Sequence, residues 1–279
     1  MRLIDTHAHL NFNDFKTDRD KVIKRTLLNR IWIINVGTNF LTSKKAVEIS
    51  LQYPEGVFAS VGLHPINLDT GLIKMKKDRG EGRGCETFFD YEKYKRLAKQ
   101  SKVVAIGEIG LDYYWRPKTT KKKELFKQKQ KELLAQELKL AKELGLPVIF
   151  HCRMANQDLI EFLVARKDIR PKKAVAHSFV GSLEELQTYL GFGFYIGFNG
   201  IIFKSIKGID FERNIKNTPL KQILLETDCP YLAPPSKEGQ RNEPIYLEYI
   251  AEKIAQIKSS SYAEITKQAT LNARALFKI

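Results

Sequence analysis

The segment LAQELKLAKELGLPVIFH, residues 134–151, contains the two kinds of element that decide the fold. Its first part carries apolar residues at the helical positions i, i+4, i+7 and i+10: Leu134, Leu138, Ala141 and Leu144. Gly145 then favours the end of a helix, and Pro147 prevents its continuation. The residues after Pro147 are all apolar up to a histidine, as is typical of a parallel strand buried on both faces. The segment therefore predicts a helix over 122–144 and a strand over 147–151.

The same alternation of short apolar runs and helical patterns recurs along the whole chain. Seven further runs predict strands: 2–7, 31–37, 57–63, 103–109, 174–177, 194–198 and 223–226. Five further patterns predict helices: 17–29, 41–52, 183–190, 245–257 and 262–277. Eight strands that alternate with helices predict an α/β protein, a (β/α)8 TIM barrel with parallel strands that forms a single domain over residues 1–279. An open, doubly wound sheet is the alternative.

Composition excludes several classes of protein. Hydrophobic residues make up 43% of the chain, which is enough for a large core and excludes a disordered or collagen-like protein. No apolar run approaches the roughly 20 residues that a membrane-spanning helix needs. No apolar segment follows Met1, so a signal peptide is not expected. Three scattered cysteines, Cys85, Cys152 and Cys229, indicate a reducing setting, and we expect a cytoplasmic protein without membrane contact.

The chain is strongly basic. It has 47 Lys+Arg against 32 Asp+Glu, a formal net charge of +15. This charge would favour binding to nucleic acid, to an anionic membrane surface or to small acidic substrates. A generally basic composition without functional meaning is a fourth explanation. Two segments, 67–90 and 118–131, are rich in lysine or arginine and either extend a substrate track or form solvated surface. No heptad pattern indicates assembly, so we expect a monomer.

The five histidines share one position relative to the predicted strands. Each stands at or just after a carboxyl-terminal strand end: His7, His9, His64, His151 and His177. In a barrel these ends meet at one mouth, and histidine is the commonest side-chain metal ligand. His7 and His9 are two residues apart and point to the same side of a strand, so they can chelate one divalent ion. Burying both without a partner would be costly, which makes two ordinary core histidines the weaker interpretation.

Two carboxylates occupy equivalent places. Glu108 lies in AIGEIGLD, residues 105–112, and Asp228 lies in LLETDCP, residues 224–230. A charge at the end of an apolar strand must be paired, hydrogen-bonded or metal-bound. Four histidines and two carboxylates can hold two divalent ions, with one carboxylate bridging. Mixed imidazole and carboxylate ligands suit Zn, Mn or Mg.

Seven sequence blocks, in this order, resemble the TatD family of metal-dependent deoxyribonucleases. They are IDTHAHL (4–10), GLHP (62–65), GEIGLDYY (107–114), LPVIFHCR (146–153), HSFVGS (177–182), LETDCPYLAP (225–234) and RNEP (241–244). The family belongs to the amidohydrolase-like metal hydrolases on a TIM barrel. The resemblance implies a hydrolase of ester bonds that uses a water activated by two metal ions. It also implies phosphodiester cleavage in DNA, as a 3′–5′ exonuclease on single-stranded or frayed ends.

The resemblance also implies a role for each matching residue. One ion would be held by His7, His9, Glu108 and Asp228, and the other by Glu108, His151 and His177. Glu108 would thus bridge the ions, and Asp228 would orient or deprotonate the attacking water. His64 and Arg241 would contact the substrate phosphate.

The roles of a few further residues in or next to these blocks are less definite. Arg153 is a candidate for substrate contact, with a salt bridge at the barrel mouth as the alternative. Tyr113, and Tyr114 after it, are candidates for stacking on a base of the substrate, with core packing as the alternative. We expect Glu226 to support the ligands or the fold. Met154 departs from the family, which commonly has Asp there, but this change removes no ligand.

Two other functions stay open from sequence. A related hydrolase could cleave an ester, for example an aminoacyl ester on tRNA, because a fold does not determine a reaction. Glu108, where a small-molecule amidohydrolase could have a lysine, and the basic charge weigh against this alternative. A nucleic-acid-binding protein with a vestigial site is the third hypothesis, and the intact set of ligands weighs against it.

Overall fold

The sheet of the computed structural model, which describes residues 3–73 and 85–279, consists of eight parallel strands in chain order. The strands are β1 (Leu3–Ala8), β2 (Ile31–Val36), β3 (Val57–Val61), β4 (Val103–Asp112), β5 (Val148–Arg153), β6 (Ala174–Ala176), β7 (Tyr195–Phe198) and β8 (Ile223–Leu225). Ala8 pairs in parallel with Cys229 just after β8, which brings the first and last strands together. The predicted (β/α)8 TIM barrel is confirmed, and it is nearly closed. An open doubly wound sheet would have a permuted strand order.

Nine α-helices accompany these strands in the described ranges. They are α1 (Arg19–Leu28), α2 (Phe40–Leu51), α3 (Tyr91–Ala98), α4 (Thr120–Leu144), α5 (Asn156–Ala165), α6 (Leu183–Gly191), α7 (Phe211–Asn217), α8 (Leu247–Lys258) and α9 (Tyr262–Phe277). The sequence patterns missed α3, α5 and α7, because helices of seven to ten residues show few repeats of the helical period. A capping signal was available for two of them: Asp90 accepts from Lys93 N, and Asp210 accepts from Arg213 N.

The barrel interior is filled by apolar side chains from strands around its whole circumference. One buried cluster combines Ile4, Ile34, Val104, Ile149, Val175 and Leu224 with the end of α9. A larger cluster packs the strands against the surrounding helices. Polar side chains therefore concentrate where the strands end. No helix in the described ranges is long and apolar enough to cross a lipid bilayer.

Strand β4 runs three residues further than predicted, and this extension shapes the mouth of the barrel. It ends at Asp112, whose backbone neighbour on β5 is Arg153. Gly110 makes the extension possible, because its φ is +149° and a Cβ there would lie 1.9 Å from the backbone oxygen of His151. The close approach of β4 and β5 brings Asp112 and Arg153 beside the predicted ligand His151.

Much of the first basic segment falls outside the described residues. Five of its basic side chains are affected: Lys74, Lys76, Lys77, Arg79 and Arg83. The second basic segment, 118–131, is described and forms the approach to α4 and the first half of this helix.

Candidate metal centre

The six predicted ligands lie together at the carboxyl-terminal mouth of the barrel. They come from five strand ends: His7 and His9 from β1, Glu108 from β4, His151 from β5, His177 after β6 and Asp228 after β8. Five of the six line one pocket of about 580 Å³, and the sixth, His7, is fully buried. The structure thus brings together every residue that the sequence proposed as a metal ligand.

Glu108 stands at the centre of the group. Its Oε1 lies 2.7 Å from His151 Nδ1 and 3.9 Å from His177 Nε2. Its Oε2 lies 3.4 Å from His7 Nε2 and 3.9 Å from His9 Nε2. Oε1 also lies 3.6 Å from His64 Nε2, so the two oxygens face different sets of imidazoles, which is the arrangement that a bridging carboxylate requires.

The second carboxylate, Asp228, closes the other side of the group. Its Oδ1 lies 3.4 Å from His9 Nε2 and 3.8 Å from His177 Nε2. Burial alone would raise its pKa, but the hydrogen bond with His9 and the charges of His177 and His7 hold the pKa below its usual value. The same balance applies to Glu108, where His64, His7 and His151 outweigh burial and hold the pKa well below its usual value. Both carboxylates are therefore ionised at neutral pH.

Three of the imidazoles are oriented by an acceptor on the ring nitrogen that faces away from the centre. His9 Nδ1 lies 2.9 Å from the carbonyl oxygen of Val36, and because a carbonyl only accepts, this nitrogen carries the proton. His177 Nδ1 lies 2.9 Å from Glu226 Oε1, and His151 Nε2 lies 3.0 Å from Asp112 Oδ2. Acceptors in this position fix the tautomer and orientation of metal-binding histidines in proteins.

This donor set fits divalent cations. Because Nδ1 of His9 already carries a proton, its inner nitrogen needs a positive charge between it and the ionised Asp228 oxygen, and Asp228 accordingly raises the pKa of His9 against the effect of burial. Without an ion that charge comes from protons. Burial alone would lower the pKa of His151, but Asp112 and Glu108 raise it to about 10. Glu226 likewise raises the pKa of His177 to about 9 against the effect of burial. A divalent ion would replace these inner protons.

His64 belongs to the pocket but differs from the ligands in its hydrogen bonding. Its Nδ1 accepts from Ile66 N at 3.0 Å, so the proton of the neutral ring is on Nε2, which lies 3.6 Å from Glu108 Oε1. Burial and the neighbouring His151 lower the pKa of His64 to about 3, so the ring is neutral. A neutral ring that presents an N–H to the pocket suits contact with an anionic oxygen better than metal ligation.

The structure does not bring Arg241 to this group, and its contact with the substrate phosphate stays a prediction. Its guanidinium donates to both carboxylate oxygens of Asp18, at 2.6 and 2.9 Å, and to Glu243 at 3.0 Å. Arg241 is not among the residues that line the pocket. Two carboxylates thus engage this arginine in a network at the start of α1.

The two weaker candidates for substrate contact, Arg153 and Tyr113, differ in whether they line the pocket. Arg153 is exposed and lines the pocket. Tyr113 is only 4% exposed and lies in the core cluster, so core packing, the alternative from sequence, describes it. The neighbouring Tyr114 lines the pocket instead. Glu226 is buried beside His177, where we expected a supporting residue.

Sequence reasoning missed two buried aspartates that support the ligands. Asp5 accepts from Thr227 N at 2.9 Å and from His7 N at 3.2 Å, so it ties β1 to the segment that carries Asp228. Asp112 orients His151. The signal for Asp5 was available, because it is a charged residue within a predicted apolar strand, as Glu108 is, whereas Asp112 lies beyond the predicted end of its strand.

Comparisons with known proteins find relatives over the whole chain. A family model described as TatD related DNase matches residues 4–278. The chain is 36% identical to "Uncharacterized metal-dependent hydrolase YabD" of Bacillus subtilis, over 99% of each chain. It is 32% identical to "3'-5' ssDNA/RNA exonuclease TatD" of Erwinia tasmaniensis, over 99% of this chain and 100% of the relative. The crystal structure of the TatD homolog YJJV from Escherichia coli superposes with a TM-score of 0.82 at 28% identity, covering 100% of this chain and 98% of the other.

Proposed function

The chain belongs to the family of TatD-related DNases, which are metal-dependent hydrolases, and we propose that it releases nucleotides from the 3′ end of single-stranded DNA. The name of the Erwinia relative supports this substrate and polarity. The net charge of +15 supports a polyanionic substrate, because positive charge attracts the phosphate backbone without reading its sequence.

The observation that carries the proposal is the convergence of imidazole nitrogens on two ionised carboxylates. His9, His151 and His177 each turn one nitrogen inward, and an acceptor on the other nitrogen holds the ring in place. We propose that the site would hold two ions, Mg, Mn or Zn, and that Glu108 would be a ligand of both because its two oxygens face different histidines. When bound, such a pair polarises the phosphate, lowers the pKa of the attacking water and stabilises the leaving oxygen.

The residues of the chain supply the remaining steps. Asp228 is ionised and its side chain is 16% exposed, against 5% for Glu108, so it is the carboxylate that a water in the pocket can reach. We propose that Asp228 orients this water and accepts its proton. His64 presents its Nε2–H toward the same space and would donate to a phosphate oxygen. Because His64 is neutral, it adds no second positive charge next to His151.

The test is an activity matrix of metals against substrates. The purified chain is stripped of metal and then supplied with Mg, Mn or Zn in the presence of end-labelled single-stranded DNA, duplex DNA, RNA or aminoacyl-tRNA. We expect release of mononucleotides from the 3′ end of single-stranded DNA, and no release in EDTA. Ester hydrolysis without nucleotide release would instead assign the esterase function. DNA binding without bound metal or turnover would indicate a vestigial site.

Two matched variants separate the site from the rest of the chain. Asp228→Asn should abolish nucleotide release while the thermal unfolding temperature stays close to that of the native chain. Asp20→Asn, the same change at an exposed position on α1, should retain full activity. An active Asp228→Asn protein would remove Asp228 from the proposed mechanism.

A further inference from the structure

Two large aromatic side chains follow β4 at the metal pocket: Tyr114 lines the pocket, and Trp115 is the next residue along the chain. Tyr114 and Trp115 are each 47% exposed, whereas the preceding Tyr113 is buried. Their rings are nearly perpendicular, at 88°, with centroids 4.9 Å apart. An adjacent tyrosine and tryptophan that both remain half exposed forgo the stabilisation that burial would give, which indicates a use for the surface.

A guanidinium completes this surface. Arg153, at the end of β5, places its Cζ 3.7 Å from the centroid of the Tyr114 ring. The backbone holds the partners together, because Asp112 pairs with Arg153 between β4 and β5 and Tyr113 N donates to Arg153 O at 2.9 Å. We call Tyr114, Trp115 and Arg153 the rim platform.

One aspartate ties the rim platform to the metal centre. Asp112 Oδ1 accepts from Tyr114 N at 2.9 Å, while its Oδ2 lies 3.0 Å from Nε2 of the ligand His151. A single carboxylate, that of Asp112, therefore connects the rim platform to the metal centre that would bind the reacting phosphate. Tyr114 and Arg153 also line the pocket itself, so a base attached to a nucleotide bound there would meet this surface.

The segment that follows Trp115, residues 116–122, is basic and mostly exposed. Four cations follow within seven residues: Arg116, Lys118, Lys121 and Lys122. None of the four is paired with a carboxylate in the part of the chain that the structure describes. Aromatic faces beside a track of unpaired cations are the recurring means by which proteins bind single-stranded nucleic acid, with bases stacked on the rings and phosphates along the charges.

We propose that the rim platform stacks the bases of a single-stranded substrate next to the phosphate that is cleaved. The location of that phosphate rests on the proposed function. The platform selects single strands, because the bases of a duplex are stacked on each other and are not available to Tyr114 and Trp115. It is tolerant of sequence, because each base offers an aromatic face.

The test removes the aromatic ring from the protein and the base from the substrate in turn. Tyr114→Ala and Trp115→Ala are compared with the native chain on a single-stranded oligonucleotide and on the same oligonucleotide with abasic residues at its 3′ end. We expect each variant to raise KM about ten-fold on the complete oligonucleotide, with little change in kcat. On the abasic substrate the KM values of variant and native chain should converge. An equal loss on both substrates, or an unchanged KM on the complete one, would overturn the proposal.

Two controls exclude a general effect on the fold. Trp115→Phe keeps an aromatic face and should restore most of the lost affinity. Tyr262→Ala removes an exposed tyrosine beside Leu3 and Arg30, at the opposite end of the barrel, and should leave KM unchanged.

A binding measurement without turnover separates this proposal from the proposed function. The chain has two tryptophans, so a Trp32→Phe protein reports on Trp115 alone. In EDTA, we expect a thymidine oligonucleotide to quench this fluorescence and an abasic oligonucleotide to leave it unchanged. Equal quenching by both, or by neither, would overturn the platform even in an active nuclease. Base-dependent quenching in a chain that cleaves no DNA would sustain the platform and refute the proposed function.

Discussion

At the scale of single residues, the centre depends on which ring nitrogen of each histidine faces inward. The sequence predicted the ligands because all five histidines stand at strand ends, but it could not show that Val36 O, Asp112 and Glu226 orient three of the rings. These partners come from other strands, and their contacts have no local sequence pattern. For the same reason the motif around Arg241 gave no sign of its partner Asp18, 223 residues away.

Replacing Asp112 tests this orientation. In Asp112→Asn the amide can present either an N–H or an oxygen to His151, so the ring loses its fixed orientation. We expect metal affinity to fall by about 10- to 100-fold. Metal titration of Asp14→Asn, an equivalent change at an exposed site, should match the native chain. Undiminished affinity in Asp112→Asn would show that His151 is held by other contacts.

At the scale of elements, two contacts position the pocket: the close approach of β4 to β5 at Gly110, and the hydrogen bond from Leu63 N to Glu137 on α4. The sequence predicted α4 with its end at Gly145, because helical periodicity and a left-handed cap are local signals. It did not predict the full length of β4, because Gly110 and Asp112 are uncommon within strands. The extension depends on the approach of β4 to β5, which is a tertiary contact.

Gly110→Ala tests that approach. The added methyl would lie 1.9 Å from His151 O, so β4 and β5 must separate. We expect a loss of roughly 3 kcal/mol or more in the free energy of unfolding, as overpacking and backbone strain combine, together with weaker metal binding. Gly193→Ala places a methyl in open space at φ +78°, so chemical denaturation should show a loss of only about 1–2 kcal/mol. Equal losses for the two variants would contradict the close approach.

Glu137 links α4 to the loop before His64 and makes stability depend on pH. Its carboxyl is fully buried and accepts from Leu63 N at 2.8 Å, and burial raises its pKa well above the usual value. The folded chain therefore keeps this proton to a higher pH than the unfolded chain. Stability is lost as the pH rises above the ordinary glutamate pKa, by about 1.4 kcal/mol per pH unit while only the unfolded chain is ionised.

Glu137→Gln removes this dependence. Between pH 5.5 and 7.5 the unfolding free energy of the native chain should fall relative to that of the variant, as measured by urea denaturation at each pH. Glu132→Gln, on an exposed position of the same helix, should follow the native chain. Parallel curves for the native chain and Glu137→Gln would show that Glu137 is ionised in the folded protein.

At the scale of the whole molecule, the barrel brings distant strand ends to one mouth. The sequence predicted this architecture because eight apolar runs alternate with helical patterns, and because the polar residues sit at one end of each run. The tie between Asp5 and Thr227 that helps to join β1 and β8 could not be predicted, because it connects the two ends of the chain. One domain, a monomeric state and a cytoplasmic location stay predictions, since contacts within one chain do not test them.

The net charge predicts a salt dependence that is specific to polymeric substrates. Raising NaCl from 50 to 200 mM should raise KM for single-stranded DNA by roughly ten-fold, because bound phosphates release counterions. Hydrolysis of bis(p-nitrophenyl) phosphate, which carries one charge, should change little. The double change Lys121→Glu and Lys122→Glu should reduce the salt slope, whereas Lys267→Glu, beside Arg30 at the far end of the barrel, should not. An equal slope in all three proteins would remove segment 118–131 from the substrate track.

Nucleotide release from single-stranded DNA, measured against the number of Mn²⁺ ions bound per chain, decides whether the site needs two ions. We predict that activity rises only as the second ion binds, because Glu108 would hold one ion on each of its oxygens. We also predict that Glu108→Gln, with its lower charge, neither binds two ions tightly nor releases nucleotides. Full activity with one ion per chain, or no release with two ions bound, would refute a two-ion mechanism at this site.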